Sequence, residues 1–305
     1  MITFGKAAGL KLSATRTRLM GEGLWMTAGQ VASAVGTLVG VRLCTELIPP
    51  AVFGTVGLLV GLSTLGFNLV CAPLLGALLR FFPEASSARQ IPGLRQATSR
   101  SLFRNTALLM SLVLVGGLIY CALPGAQMSF WSFAALAGLL AIDTARTIET
   151  NLLTAARRQR PFAIWNAVEA WARPAGAIVL VLALGATPSA ILWGYLLATA
   201  ATLTVFMLCV KREGLPAPGQ VAEVTPELTR GIGSYVLPLM PLALVGWVST
   251  LSDRYIIGGL IGLDQVGIYA AAYGLVSRPF LMSGSKNTKK LSPLYYGKVS
   301  AGDAN

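Results

Sequence analysis

The chain has 305 residues, of which 54% are hydrophobic and 12% charged, with a formal net charge of +12. The mean hydropathy of +0.67 excludes a soluble domain and makes this an integral membrane protein, so length translates into membrane spans. With no soluble, aromatic-interleaved basic surface to hold it, nucleic acid is excluded as a partner; anionic lipid headgroups or an anionic lipid-linked substrate are the candidates instead.

In chain order, residues 1–22 come first, with Lys6, Lys11, Arg16 and Arg18 scattered among small apolar residues. No compact apolar core or cleavage site marks them as a signal peptide. They are expected to form a short basic helix on the anionic cytoplasmic leaflet, with a disordered basic leader as the alternative. Eight apolar runs follow, at 23–46, 52–80, 104–123, 128–155, 162–186, 188–210, 233–260 and 264–282. Each meets or approaches the roughly 20 residues that a helix needs to cross the hydrocarbon core. Arginines and lysines follow the even-numbered runs: Arg80, Arg89, Arg95, Arg100 and Arg104; Arg157, Arg158 and Arg160; Lys211, Arg212 and Arg230; Arg278, Lys286, Lys289 and Lys290. The remaining connections are short and nearly free of Lys and Arg. All basic loops then fall on one side, which the positive-inside rule makes the cytoplasm, with both termini inside. The longest connections, 81–103 and 211–232, are too short for catalytic domains.

The expected fold is all-α, with about eight transmembrane helices. Residues 23–210 form a six-helix first lobe, 211–232 a cytoplasmic linker, 233–282 the first two helices of a second lobe, and 283–305 a polar tail. A weak internal echo supports parallel lobes: Val52-Phe-Gly-Thr-Val-Gly-Leu-Leu-Val-Gly-Leu opens the second run, and Val266-Gly-Ile-Tyr-Ala-Ala-Ala-Tyr-Gly-Leu opens the eighth.

Chemistry in such a chain must come from charges inside the runs. The chain has no histidine, which removes imidazole bases, Ser-His-Asp triads and histidine metal sites. Cys44, Cys71, Cys121 and Cys209 lack metal or redox spacing and read as small buried hydrophobes. No catalytic residue, metal or cofactor is expected, and the absence of a Walker-type phosphate loop excludes ATP as the direct energy source. The fourth run carries Asp143, Arg146 and Glu149 on one helical face, and the fifth carries Glu169 and Arg173 one turn apart. Counted back from the arginines between these runs, the depths match, which predicts two cross-helix pairs, Asp143–Arg173 and Arg146–Glu169, in a hydrated vestibule. Such charges either bind a ligand or are paired glue, and both readings stand at this point. Arg42 and Glu46 sit at the end of the first run, within snorkelling reach of water. Asp253 and Arg254 are adjacent, diverge around their helix, and each needs another partner. Gln30, Asn68, Asn151 and Asn166 could bond sugar hydroxyls or glue helices together. Gly36-x-x-x-Gly40 and Gly57-x-x-x-Gly61 read as close-packing faces. Pro73, Pro174, Pro238 and Pro241 should kink their helices.

The stretch Ser234–Phe280 combines prolines early in a span, then S-D-R-Y-I-I-G, then G-I-Y-A-A-A-Y. That order resembles the polysaccharide-biosynthesis flippases of the multidrug/oligosaccharidyl-lipid/polysaccharide exporter superfamily. The resemblance implies about twelve to fourteen spans in two lobes, so the chain is expected to be a truncated form or to be completed by partner chains. It implies a polyprenyl-diphosphate-linked glycan as substrate, moved across a bacterial inner membrane. Arg146, Arg173, Arg254 and Arg42 would then form a cationic path for the diphosphate, together with Asp143 and Glu149. Arg80, in R-F-F-P-E, would mark an inner gate, and Asp253, Pro238 and Pro241 would serve gating. A glycan polymerase or glycosyltransferases are candidate partners. The competing functions are a cation-coupled small-molecule exporter, with Asp143 as its carboxylate, and a non-transporting scaffold for glycan assembly. A membrane enzyme comes last.

Overall fold

A computed structural model describes the backbone of residues 3–88, 90–126, 128–209 and 224–276, and side chains from Leu24 onwards. Among the described residues every regular element is a helix. They are α1 (Thr3–Leu47), α2 (Pro50–Val70), α3 (Ala72–Ser87), α4 (Ile91–Ala122), α5 (Phe130–Ala155), α6 (Gln159–Leu184), α7 (Pro188–Cys209), α8 (Pro226–Val236) and α9 (Leu239–Leu260). A further helix, α10, covers 263–276. The tail 283–305, most of the linker 211–232 and the basic residues Lys211, Arg212, Arg278, Lys286, Lys289 and Lys290 lie outside the described residues.

Among the described residues, six stretches are long and apolar enough to cross a membrane: Leu24–Leu47, α2, α4, α6, α7 and the joined α8–α9. The protein is therefore an all-α, multi-pass membrane protein. α5 is outside that set because Asp143, Arg146 and Glu149 interrupt its apolar length. It is nevertheless the most enclosed helix, with Leu136, Leu139, Ile148 and Leu152 among its buried residues, whereas α9 buries none. A helix sheathed by other helices does not need an apolar surface of its own, so it can carry charge at depth.

Three details differ from the sequence expectation. The basic segment before the first span continues into it as one unbroken helix, α1. The second run divides at Cys71, because Pro73 has no N–H to donate and its ring crowds the preceding turn. Asn105 Nδ2 on α4 donates to the Val70 carbonyl beside this break, at 3.1 Å. The segment 81–103, expected to be a connection, is mostly helical: α3 reaches Ser87 and α4 starts at Ile91, so Arg95, Arg100 and Arg104 ride on a helix.

Among the described residues, two large apolar cores organise the bundle, beside a small cluster of Leu153, Trp165 and Phe206. One joins α3, α4, α5 and α8 around Leu78, Leu94, Leu102 and Leu152, and receives Ile232 and Val236 from α8. The other joins α1, α2, α5, α6 and α7 around Cys44, Val56, Leu136, Ala177 and Ile191. Small residues allow close approach in the second. A side chain at Gly36 would strike Trp171, and one at Gly40 would strike Pro174, so α1 lies tightly along α6. Gly176 and Gly194 do the same for α6 and α7. The two echoed segments also meet: Gly54 of α2 lies against the backbone of Leu263 and Gly267, and Gly267 lies against Pro50 O. Gly57 lies opposite Ala270 further along, so α2 and α10 run side by side in the same direction. Tyr255 and Trp247 of α9 donate to the Leu58 and Gly61 carbonyls of α2, at 2.8 and 2.9 Å.

Candidate functional site

The α5–α6 hairpin positions the charges. Ser129 caps α5 by accepting from Trp131 N, and α5 ends where Arg157 adopts φ 58°, turning the chain into α6. The two helices are consecutive and antiparallel, yet α6 packs mainly on α1 and α7, while α5 packs mainly on α4 and α7. Their facing surfaces stay apart, and long side chains span the gap.

Four residues form one cluster across it. Arg146 Nη1 donates to Glu169 Oε2 at 2.7 Å, and Arg146 Nε donates to Asp143 Oδ1 at 3.3 Å. Arg173 Nη2 donates to Asp143 Oδ1, and Arg173 Nε donates to Thr199 Oγ1 on α7 at 2.9 Å. The same Nε lies 3.0 Å from Glu169 Oε1, an ion-pair contact whose hydrogen points at the threonine instead. The quartet is electroneutral, which lets it sit among helices without an uncompensated charge. It is not sealed: Arg146 and Arg173 side chains are 21% and 28% exposed. Among the described residues, no hydrogen bond uses Arg146 Nη2 or Arg173 Nη1.

Two recesses adjoin the quartet. One has a volume of about 430 Å³ and is lined by α1, α2, α5, α6 and α7, including Ser33, Thr37, Asn166, Glu169, Arg173 and Tyr195. The other has a volume of about 170 Å³, lies between α2 and α5, and includes Val60, Ser63, Phe67, Leu136 and Asp143. Arg146 lines both.

The remaining candidates are not brought to this cluster. Glu149 turns towards α4 and pairs with Arg95, with only 8% and 9% of the two side chains exposed. The single charged face expected on α5 is therefore split: Asp143 and Arg146 face α6, and Glu149 faces α4. Arg42 pairs with Glu46 on its own helix at 2.7 Å and is 74% exposed. Arg80, midway along α3, pairs with Glu84 at 2.7 Å and lies over the Phe81 ring. Asp253 Oδ2 accepts from Tyr269 on α10, and Arg254 lies 5.7 Å from the Tyr273 ring. Asp253 Oδ1 and Arg254 Nε are buried with no hydrogen-bond partner among the described residues. The D-R pair on α9 thus faces the Y-x-x-x-Y pair on α10, one charge to each ring. Pro238 caps α9 and Pro241 lies in its first turn. Asn151 and Asn166 donate to carbonyls of their own helices.

Sequence reasoning missed Thr199 and Arg95. Thr199 is fully buried on a helix with no charge, so nothing but the Arg173 contact singles it out. Arg95 falls among arginines that the topology rule accounts for, although its spacing of seven from Leu102, both buried on α4, puts it on the inward face.

A family model described as polysaccharide biosynthesis protein matches residues 19–285. The chain belongs to that family. The match takes in both the quartet and the Asp253–Arg254 stretch, and members of the polysaccharide biosynthesis protein family are in general transporters and flippases rather than enzymes. No curated protein and no solved structure matches the chain.

Proposed function

We propose that this member of the polysaccharide biosynthesis family is a flippase. Its substrate is a polyprenyl-diphosphate-linked oligosaccharide, carried from the cytoplasmic to the outer leaflet of a bacterial inner membrane. Both termini lie in the cytoplasm, where the positive-inside rule directs the basic connections. The observation that carries this reading is the pair Arg146 and Arg173, held across the α5–α6 gap with one guanidinium nitrogen of each unused beside a cavity of about 430 Å³.

Arginine suits a diphosphate because its planar fork meets two phosphate oxygens at once, in directions a lysine cannot fix. Asp143 and Glu169 hold the forks in place and keep the empty site neutral. An arriving diphosphate takes the unused nitrogens first and then competes with the carboxylates for the rest. The exchange replaces one charge-assisted hydrogen bond with another, so the site can release its cargo as well as hold it. Arg254 would supply a second cationic station on α9, and Asp253, Pro238 and Pro241 would serve gating. Arg80 and Arg42 mark the two ends of the path. A glycan polymerase or glycosyltransferases would work on either side of the transfer.

The test is deletion of the gene followed by mass spectrometry of lipid-linked glycan, resolved by leaflet. Accumulation on the cytoplasmic leaflet, reversed by the intact chain but not by Arg146→Ala or Arg254→Ala variants that still insert, is the expected result. An unchanged pool and distribution would sink the flippase reading, and full activity in both variants would sink the assigned roles.

A further inference from the structure

The two recesses that meet at Arg146 have opposite characters. The larger presents Ser33, Thr37, Asn166 and Tyr195 beside the charged quartet. Ser33 and Thr37 donate to carbonyls of their own helix, which leaves their oxygen lone pairs available as acceptors. Asn166 spends only its amide nitrogen on its own helix, and the Tyr195 hydroxyl makes no hydrogen bond among the described residues. Donors and acceptors are therefore mixed along this wall, as sugar hydroxyls require.

The smaller recess is walled by Val60, Phe67, Leu136, Leu139 and Leu140. Thr64 and Thr147, which also line it, donate to their own helices and add little free polarity. Its volume of about 170 Å³ is that of a cavity able to hold a small hydrocarbon group. It is a recess rather than a closed void, so a chain seated there can continue outwards. Ser63 Oγ on its wall is buried and has no partner among the described residues. A buried hydroxyl of this kind calls for an acceptor that the protein itself does not provide.

We infer that Arg146 is the junction of a two-part subsite: the proximal sugar of the substrate occupies the larger recess, the diphosphate bridges Arg146 and Arg173, and the first isoprene unit of the lipid enters the apolar recess between α2 and α5. This inference rests on the flippase reading and adds the orientation of the substrate and a lipid-tail subsite. The site takes amphiphiles in which a diphosphate carries an allylic hydrocarbon on one side.

The test uses the full chain purified in detergent, with native mass spectrometry against inorganic diphosphate and farnesyl diphosphate. The unaltered protein should bind farnesyl diphosphate at least about tenfold more tightly than inorganic diphosphate, since each buried CH₂ adds to affinity. Val60→Trp and Thr64→Phe fill the apolar recess from two positions on α2. Each should abolish that preference while leaving affinity for inorganic diphosphate unchanged, and the retained diphosphate binding certifies that the variant is folded. Should one fail that criterion, the other decides. Equal affinities in the unaltered protein, or a preference that survives filling of the recess, would overturn the tail subsite while leaving the diphosphate reading in place. Arg146→Gln should weaken both probes; if it binds both as well as the unaltered chain, the diphosphate reading itself fails.

Discussion

Helix α5 carries charge to two neighbours under different conditions. Towards α6, Asp143 and Arg146 meet Glu169 and Arg173 across a gap, with guanidinium nitrogens left unused beside a cavity. Towards α4, Glu149 meets Arg95 within packed side chains that include Leu94, Leu152 and Thr98. The residue types are the same, and the packing around them decides what they can do. Arginine–carboxylate pairs with open space beside them can exchange a carboxylate for a phosphate; a pair closed in on all sides can only hold two helices together.

The largest expected effect tests the closed pair. Glu149→Ala leaves the Arg95 guanidinium buried without its carboxylate, which should destabilise the fold by about 3–5 kcal/mol. Thermal melting in detergent measures this, and replacing both partners together (Arg95→Met with Glu149→Leu) should recover most of it. A single-variant loss below about 1 kcal/mol would remove the contrast between the two clusters. Arg146→Gln should behave in the opposite way, abolishing translocation in the leaflet assay while the protein still inserts and purifies. Loss of expression comparable to that of Glu149→Ala would mean that the quartet is structural as well.

A smaller effect sharpens the comparison from the other side. Thr199→Val removes the acceptor of Arg173 Nε and should cost about 1.5–3 kcal/mol, typical of a hydrogen bond to a charged group. It should weaken diphosphate binding only partly, and Thr199→Ser should restore it, because the hydroxyl rather than the methyl aims the guanidinium. The smallest effect belongs to Arg42→Ala. Its partner Glu46 lies on the same helix and both are exposed, so stability should change by no more than about 0.5 kcal/mol in a melt. A fall in translocation without a fall in stability would extend the cationic path to the end of α1.

The hairpin chemistry was legible because distances along one hairpin can be counted. Asp143 and Arg146 lie on one side of the Arg157 turn, Glu169 and Arg173 on the other, and helical rise brings equal depths together. Contacts between helices that are not joined by a short turn follow no such ruler. Arg95 and Glu149 are 54 residues apart, and their meeting depends on α4 starting well before its apolar stretch does. Arginine clusters also carry a strong topological signal, which masked the one member that turns inwards. The division of the second run at Cys71 was foreshadowed by Pro73. The partners of Asp253 and Arg254 were not, although the family motif already held them: the tyrosines of G-I-Y-A-A-A-Y are four apart, as rings must be to stand one turn above another on α10 and stack.

The joint at Leu237–Pro238 has a mechanical consequence. α8 is anchored in the first bundle by Ile232 and Val236, and Tyr235 sets its ring edge-on to Phe81 of α3. α9 starts immediately beyond and is about 33 Å long, and its far end is held as well, because α10 follows after a short turn and packs on the α2 backbone at Gly54. The indole of Trp247 and the phenol of Tyr255 tie it to α2 backbone carbonyls at two heights along its length. Held at both ends and at two heights between them, α9 is braced against α2 like a strut along its length.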